Sequence, residues 1–282
     1  MAKREAPAGA PQRFALQRHL SAVPAALVIT MTLLAAVGPD LLTQYPPDAT
    51  SAHTLRPPGS GHLLGTDELG RDVLSRLVHG ARLSVLIGVG ATLTGAVVGT
   101  LVGFCAALFG RVVDGVLMRC TDVLMAFPQL LLALLTITVT GSGTAGMIFS
   151  VGIAGAPGYA RVARARVLAV RGAQFVEAGR VLGLRHRHLV ARHVLPNTLE
   201  PLLVLATVGF GAATVSGAAL SYLGLGPQPP AADWGTMLAE GQEYLQLAWW
   251  TTAFPGCAVT AVAMSVTCLG RRLGGSTPGA GR

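Results

Sequence analysis

Five long stretches without a charged residue constrain the fold of this chain more than any other feature of its sequence. They cover residues 20–39, 83–110, 123–160, 201–232 and 244–270, and most of their residues are apolar. A helix that crosses a membrane needs about 20 mostly apolar residues. Each stretch is therefore long enough to form at least one membrane-spanning helix.

Two of these stretches are not a single uninterrupted helix. The stretch 123–160 is 38 residues long, and the glycine-rich segment 141–146 at its centre predicts two helices joined by a tight turn. The stretch 201–232 ends in glycines and prolines that cannot continue a helix. The sequence thus predicts an all-α, polytopic membrane protein with six transmembrane helices, at about 20–42, 83–109, 117–140, 145–166, 199–222 and 247–270.

The composition excludes two other classes of protein. Charged residues make up 12% of the chain, against about 25% in an ordinary soluble domain. A soluble protein of this length would need more charge to cover its surface. The apolar share of 51% excludes an intrinsically disordered chain.

The distribution of charge predicts the orientation in the membrane. With six helices both termini lie on one side, which collects 17 basic and five acidic residues, while the other side has four arginines and eight acidic residues. The positive-inside rule therefore places both termini in the cytoplasm. The basic residues are spread over several loops and aromatic residues make up only 5%, so no nucleic-acid partner is expected.

No catalytic, metal or cofactor site is expected in this chain. The four cysteines form no CxxC pair, and His188 and His193 are five residues apart, which poorly matches one helical face. A P-loop needs a lysine after its glycine-rich turn, but the single lysine is Lys3. The chain is therefore not expected to be an enzyme, and any ATP hydrolysis would come from a partner.

Acidic residues give little support to proton-coupled transport. Such carriers usually keep an ionisable group within the membrane, whereas Asp122 and Glu200 lie at the ends of predicted helices. A secondary transporter that works without an ATPase, and a structural membrane subunit that forms no pathway, both remain alternatives.

Small residues recur at four-residue spacing on two predicted helices. Such stripes allow close approach of helix backbones in lipid. Packing inside this chain and an interface with a second membrane subunit, or with a central pathway, are equally compatible with the pattern. The stripes consist of Gly95, Gly99 and Gly103 on the second helix, and of Gly209, Ala213 and Gly217 on the fifth.

The segment between the fourth and fifth predicted helices contains a short amphipathic helix. Phe175, Ala178 and Leu182 fall on one face, Gly183 suits a turn, and a second short helix is expected to stop at Pro196. A basic amphipathic helix of this kind lies on anionic lipid or docks into a groove on a partner protein.

This segment resembles the EAA motif in the permease subunits of ATP-binding cassette importers. That motif has Glu-Ala-Ala, a glycine six residues after the glutamate, and a hydrophobic residue before Leu-Pro. Gly179 stands in place of the second alanine, and His193 in place of the hydrophobic residue. The matching residues are Glu177, Ala178, Gly183, Leu195 and Pro196.

Two further stretches are similar to one group within these importers. The segments 62–84 and 221–237 resemble those before the second helix and after the fifth in C-type permeases of the dipeptide, oligopeptide and nickel group. The similarity covers about residues 60–272. It implies an N-terminal part at 1–82, a type I importer transmembrane domain at 83–272 and a tail at 273–282.

The resemblance also implies partners and roles. The chain would form half of a pathway through a bacterial plasma membrane, with a second related permease, one or two ATPase subunits that bind ATP and magnesium, and an extracytoplasmic binding protein. Peptides are the first expected substrate, and nickel or another metal chelate is the alternative. The coupling loop 171–196 would include Glu177, Ala178, Gly179, Gly183, Leu195 and Pro196. The segment facing the binding protein would include Gly65, Thr66, Asp67, Gly70, Arg71 and Asp72.

Overall fold

The computed structural model describes residues 22–182, 184, 186–228 and 230–275, and this part of the chain is helical, with one isolated β-bridge between Thr66 and Asp72. Two π-helical turns, Val190–Val194 and Ser221–Leu225, flank the eighth helix. In chain order the α-helices are α1 (Ala22–Val37), α2 (Val73–Leu108), α3 (Arg111–Met125), α4 (Gln129–Thr140), α5 (Thr144–Arg171), α6 (Gln174–Val181), α7 (His186–Leu189), α8 (Leu195–Leu220), α9 (Trp234–Gln242) and α10 (Trp250–Gly275).

Three helices of the described part are long and apolar enough to cross a membrane on their own. They are α2, the continuous helix Val190–Leu225 that contains α8, and Trp250–Arg272 within α10. The pair α3 and α4 becomes a fourth if it counts as one bent span, and α1 is apolar but shorter. The remaining predicted span, α5, has 28 residues, and its small residues and arginines make it less apolar than the others.

The third predicted helix, at 117–140, is broken in the structure. Its halves α3 and α4 meet at an angle of 102°. The cause is Pro128, which lacks a backbone N–H and disfavours a helical conformation at Phe127. Pro128 itself has ψ 132° and begins α4 anew. Two helices that meet near Pro128 therefore form the span predicted at 117–140.

The second helix begins ten residues earlier than its apolar pattern predicts. Asp72 caps its N-terminus, because its carboxylate accepts a hydrogen bond of 2.8 Å from the backbone N–H of Ser75. The first turns of α2 thus include Arg76, which the helix carries outside its apolar part. The cap, rather than the start of the apolar run, determines where the helix begins.

Both stripes of small residues pack within this chain. A Cβ atom at Gly95 would lie 2.7 Å from the carbonyl oxygen of Gly152 on α5, and one at Gly99 would overlap the carbonyl oxygen of Ala156. The same holds on α8, where a Cβ atom at Gly217 would lie 2.9 Å from Ile87 of α2. Backbone contact of this kind brings α2, α5 and α8 together at the centre of the bundle.

We expect the substitution Gly99→Ala to destabilise the chain, because its new methyl group meets backbone atoms of α5 that no rotamer change can move. Overpacking of this kind costs about 1–3 kcal/mol. Thermal unfolding of the purified protein in detergent, followed by size-exclusion chromatography, measures the effect. The matched control is Gly115→Ala, because Gly115 lies on α3 with open space around it. Equal melting temperatures for the two variants would contradict the packing argument.

Candidate functional site

The segment that joins α5 to α8 is anchored to the bundle by a few buried side chains. Val176 of α6 and Leu189 of α7 are buried, and Val194 packs in a cluster with Ala107 and Val167. Arg171, the last residue of α5, donates a hydrogen bond to the carbonyl oxygen of Ala107 near the end of α2. The segment is therefore fixed to the ends of α2 and α5.

Ion pairs connect α5 to α3 beside this segment. The guanidinium of Arg164 donates to both carboxylate oxygens of Asp114, and one of these bonds is 2.6 Å long. Arg161 pairs with Asp122 at 2.5 Å. Because the Arg164 pair is bidentate, it holds α3 in a defined direction relative to α5.

The opposite face of α6, with the residue that follows it, presents apolar side chains that are half to largely exposed in the described part of the chain. Val181 and Leu182 are 83% and 80% exposed, and Phe175 is half exposed. Glu177 and Ala178 are also exposed on this helix. An exposed group of large apolar residues with one carboxylate among them is typical of a protein–protein contact surface.

The structure accounts for both departures from the EAA motif. A Cβ atom at Gly179 would lie 2.6 Å from Cδ2 of Leu189, so the glycine allows α6 and α7 to pack closely. The ring of His193 lies beside that of Phe175, with 6.3 Å between the ring centroids. The histidine thus supplies an aromatic contact at a position where the motif has an apolar side chain. Gly183 lies outside the described residues.

The sequence predicts that the second short helix ends at Pro196, but the helix continues past this residue. The chain continues from the π-helical turn Val190–Val194 directly into α8, and Pro196 lies in its first turn. The proline lies directly after the π-helical turn, where the hydrogen-bond pattern of the helix changes. Leu195 and Pro196 therefore connect the segment rigidly to α8, rather than separating the two.

At the other end of the bundle a buried ionic network holds the segment that precedes α2. The carboxylate of Asp67 accepts from Arg71 at 2.6 Å and from Arg76 at 2.8 Å. Glu240 of α9 accepts from Arg76 at 2.6 Å and from Arg71 at 3.1 Å. Glu68 accepts from Arg71 at 2.7 Å. The three carboxylates lie close enough together for a metal ion, but Arg71 and Arg76 already pair with them.

Most residues predicted to face a binding protein are buried in this network. Thr66, Asp67 and Asp72 are almost completely buried, and the indole N–H of Trp250 donates to the carbonyl oxygen of Thr66 at 3.1 Å. Gly65 and Gly70 have positive φ angles of 80° and 70°, which only glycine adopts without strain. These residues shape the segment, so any contact with a partner has to come from exposed neighbours.

The sequence analysis missed the role of Asp233. Its carboxylate accepts from the backbone N–H groups of Gly235 and Thr236, as the N-cap of α9, and from Ser221 at 2.8 Å. Burial raises the pKa of Asp233. The pattern Asp-x-x-Thr before α9 is a form of the capping box and was a usable signal.

Trp234 fixes the same loop to α2. Its indole N–H donates to the carbonyl oxygen of Leu77 at 2.9 Å, and its backbone N–H donates to the hydroxyl of Ser84 at 3.1 Å. The loop after α8 and the segment before α2 therefore form one structure, which we call the cap and which comprises residues 53–72 and 226–243.

Comparison with protein families gives one match that covers most of the helical bundle. The family described as "Binding-protein-dependent transport system inner membrane component" matches residues 95–275.

Curated relatives align over most of the chain. A dipeptide transport system permease of Escherichia coli is 38% identical over 261 residues, which are 90% of this chain and 87% of the relative. The corresponding permease of Alkalihalophilus pseudofirmus is 34% identical over 90% of this chain and 84% of its own length. A di/tripeptide transport system permease of Pseudomonas aeruginosa is 40% identical over 74% of this chain and 69% of its own length.

A solved structure shares the fold. A chain of the MetNI methionine ABC transporter, in inward-facing conformations, aligns with a TM-score of 0.59 and 18% identity. The alignment covers 72% of this chain and 96% of the solved chain. At this identity the likeness concerns the fold alone.

The raised pKa of Asp233 predicts how stability depends on pH. The protonated Asp233 carboxyl stabilises the folded state. This stabilisation is fully present below the unfolded-state pKa of about 3.9 and is lost as the pH rises through the higher folded-state pKa. We expect Asp233→Asn, which keeps the N-cap of α9 but removes the charge, to be at least as stable as the parent at pH 7. We expect Asp233→Ala to lose about 1 kcal/mol of folding stability, because it removes the N-cap of α9.

Thermal unfolding in detergent between pH 4.5 and 8 tests this expectation. The melting temperature of the parent should fall with rising pH more steeply than that of Asp233→Asn. Identical pH profiles for the parent and the asparagine variant would show that the buried carboxylate does not control this dependence.

Proposed function

This chain belongs to the family of binding-protein-dependent transport system inner membrane components, and we propose that it forms one half of the translocation pathway of an ATP-driven peptide importer. It is a multi-pass permease subunit of the inner membrane and is not itself catalytic. The observation that carries the proposal is identity of 34–40% to dipeptide and peptide permeases over most of the chain.

Peptides are favoured over the nickel alternative as the substrate. The relatives described above are all named for dipeptide or di/tripeptide transport. Family membership also argues against a secondary transporter, because permeases of this family work with ATPase and binding-protein partners. In the proposed assembly the second half of the pathway is a related permease, and one or two ATPase subunits bind ATP and magnesium.

The segment around α6 is the proposed site of coupling to the ATPase. Its exposed Phe175, Val181 and Leu182 would be buried in a groove of the ATPase, and full burial of such a side chain contributes about 1.5–3 kcal/mol. Because Val194 and Arg171 anchor the segment to α2 and α5, a displacement of α6 would be passed to the membrane helices. Glu177 is exposed and available for a charge-assisted hydrogen bond with the ATPase.

The proposed orientation places α6 in the cytoplasm and the cap outside. Arginines concentrate at the end of the bundle that carries α6, whereas the cap carries Asp67, Glu68, Glu240 and Asp233. This asymmetry follows the positive-inside rule. The exposed surface of the cap would then receive the binding protein.

We expect Leu182→Asp to abolish coupling, because a carboxylate would replace an exposed leucine in the proposed contact. Peptide uptake, and stimulation of the ATPase by loaded binding protein, should both fall at least tenfold, while the chain still inserts normally. Glu177→Ala should act in the same direction. The measurements use the complete complex in proteoliposomes at matched abundance.

Two control variants accompany this experiment. Leu182→Met keeps the apolar surface, and Asp48→Ala removes an exposed carboxylate that precedes α2 and lies outside the cap. Both should transport like the parent. If Leu182→Asp and Glu177→Ala also transport normally, the segment lies on lipid rather than on an ATPase.

The orientation predicts which positions can be labelled from outside the cell. In a chain without native cysteines, Ser60→Cys and Ala231→Cys should react with an impermeant thiol reagent, because both positions are exposed in the cap. Ala178→Cys and Ala191→Cys should react only after the cells are permeabilised. Labelling of the α6 position in sealed cells would reverse the orientation and remove the coupling assignment.

A further inference from the structure

A cavity of about 190 Å³ lies between α2, α4, α5 and α8. Its walls are mostly small residues, among them Gly95, Gly155 and Gly209, and it has room for several water molecules. None of its lining residues is charged, and its polar side chains are Thr92, Gln129 and Tyr159. The hydroxyl of Thr92 is already bonded to the carbonyl oxygen of Gly88.

Tyr159 has a buried hydroxyl group without a hydrogen-bond partner in the described part of the chain. The residue is only 7% exposed, and its hydroxyl lies directly beside Gly209, where a Cβ atom would overlap it. An unpaired buried hydroxyl is costly and needs an explanation. A ligand that enters the cavity and accepts a hydrogen bond would provide one.

One residue at the N-terminus of α4 adds a further polar side chain to the cavity. Pro128 stands at its N-cap without a side-chain cap, and the first intrahelical bond runs from Leu132 to Pro128. The N–H groups that precede this bond have no acceptor within the helix, and the helix dipole makes this end positive. Gln129, the first residue of α4, lines the cavity with its side-chain amide.

The cavity lies near the middle of α2, α5 and α8 and beside the N-terminus of α4. Tyr159 is near the middle of α5, and Gly209 is near the middle of α8. Transporter substrates commonly bind at this depth, beside the ends of interrupted helices. Irregular backbone such as the break before α4 is tolerated at membrane depth where it lines a cavity.

We propose that this cavity is the chamber that holds the peptide during its passage, through hydrogen bonds from the side chains of Tyr159 and Gln129 to carbonyl and carboxylate oxygens of the peptide. The inference rests on the proposed function. Both donors address groups that every peptide has. An uncharged chamber binds weakly, so the peptide can leave again.

The first test compares uptake with ATP hydrolysis in the complete reconstituted complex. Tyr159→Phe keeps the ring and removes only the unpaired hydroxyl, so the chain should fold normally. Uptake of a radiolabelled dipeptide should fall about fivefold, the factor that one net hydrogen bond is worth. ATPase stimulation by loaded binding protein should stay at the parental level. Tyr222→Phe, at an exposed tyrosine outside the cavity, is the control.

The possible outcomes separate this inference from the proposed function. If the parent complex imports no peptide, the proposed function fails. If the parent imports peptide and Tyr159→Phe imports it equally well, the chamber assignment alone is wrong. A parallel fall in uptake and stimulated ATPase activity would indicate a structural role and would also overturn the assignment.

The second test detects the peptide in the cavity directly. Gly155→Cys fits sterically, because the nearest atom to its Cβ position is Nε2 of Gln129 at 3.6 Å. In a complex without native cysteines, dipeptide-loaded binding protein with ATP and vanadate should slow the reaction of this thiol with a thiosulfonate reagent at least threefold relative to unloaded binding protein. Gly115→Cys on α3 should react at the same rate in both conditions. Equal rates at Gly155→Cys would overturn the assignment.

Discussion

The backbone contact between α2 and α5 is the constraint on which the rest of the structure depends. Gly95, Gly99 and Gly103 leave no side chain between α2 and the carbonyl groups of α5. Because α5 is held so closely, its arginines reach α3 at one end, and Tyr159 reaches α8 at its centre. In lipid, where water provides no hydrophobic force between helices, such close packing is what can hold them together.

The two ends of the bundle differ in their side chains: one end has paired charges, and the other exposes apolar groups. The cap is closed by a network in which Arg71 and Arg76 pair with Asp67 and Glu240, and loss of one member would leave a charge without compensation. The end that carries α6 exposes apolar side chains instead. A rigid closed end and an open apolar end suit a subunit that receives its driving motion from a partner on one side.

The break at Pro128 connects the fold to the proposed pathway. A continuous third helix would have filled the space beside α5 and satisfied its own backbone groups. The 102° bend instead begins a new helix at Gln129, whose side chain lines the cavity.

The sequence by itself determined the helical membrane class, the stripes of small residues and the segment that contains Glu177, because these depend on local composition and spacing. It located most helices to within a few residues but missed the early start of α2 at the Asp72 cap and the break at Pro128. Only the tertiary structure decided that both stripes pack within the chain, that Asp67 is buried under Arg76 and that the Tyr159 hydroxyl has no hydrogen-bond partner among the described residues. These facts depend on contacts between residues far apart in the chain, which no local pattern encodes.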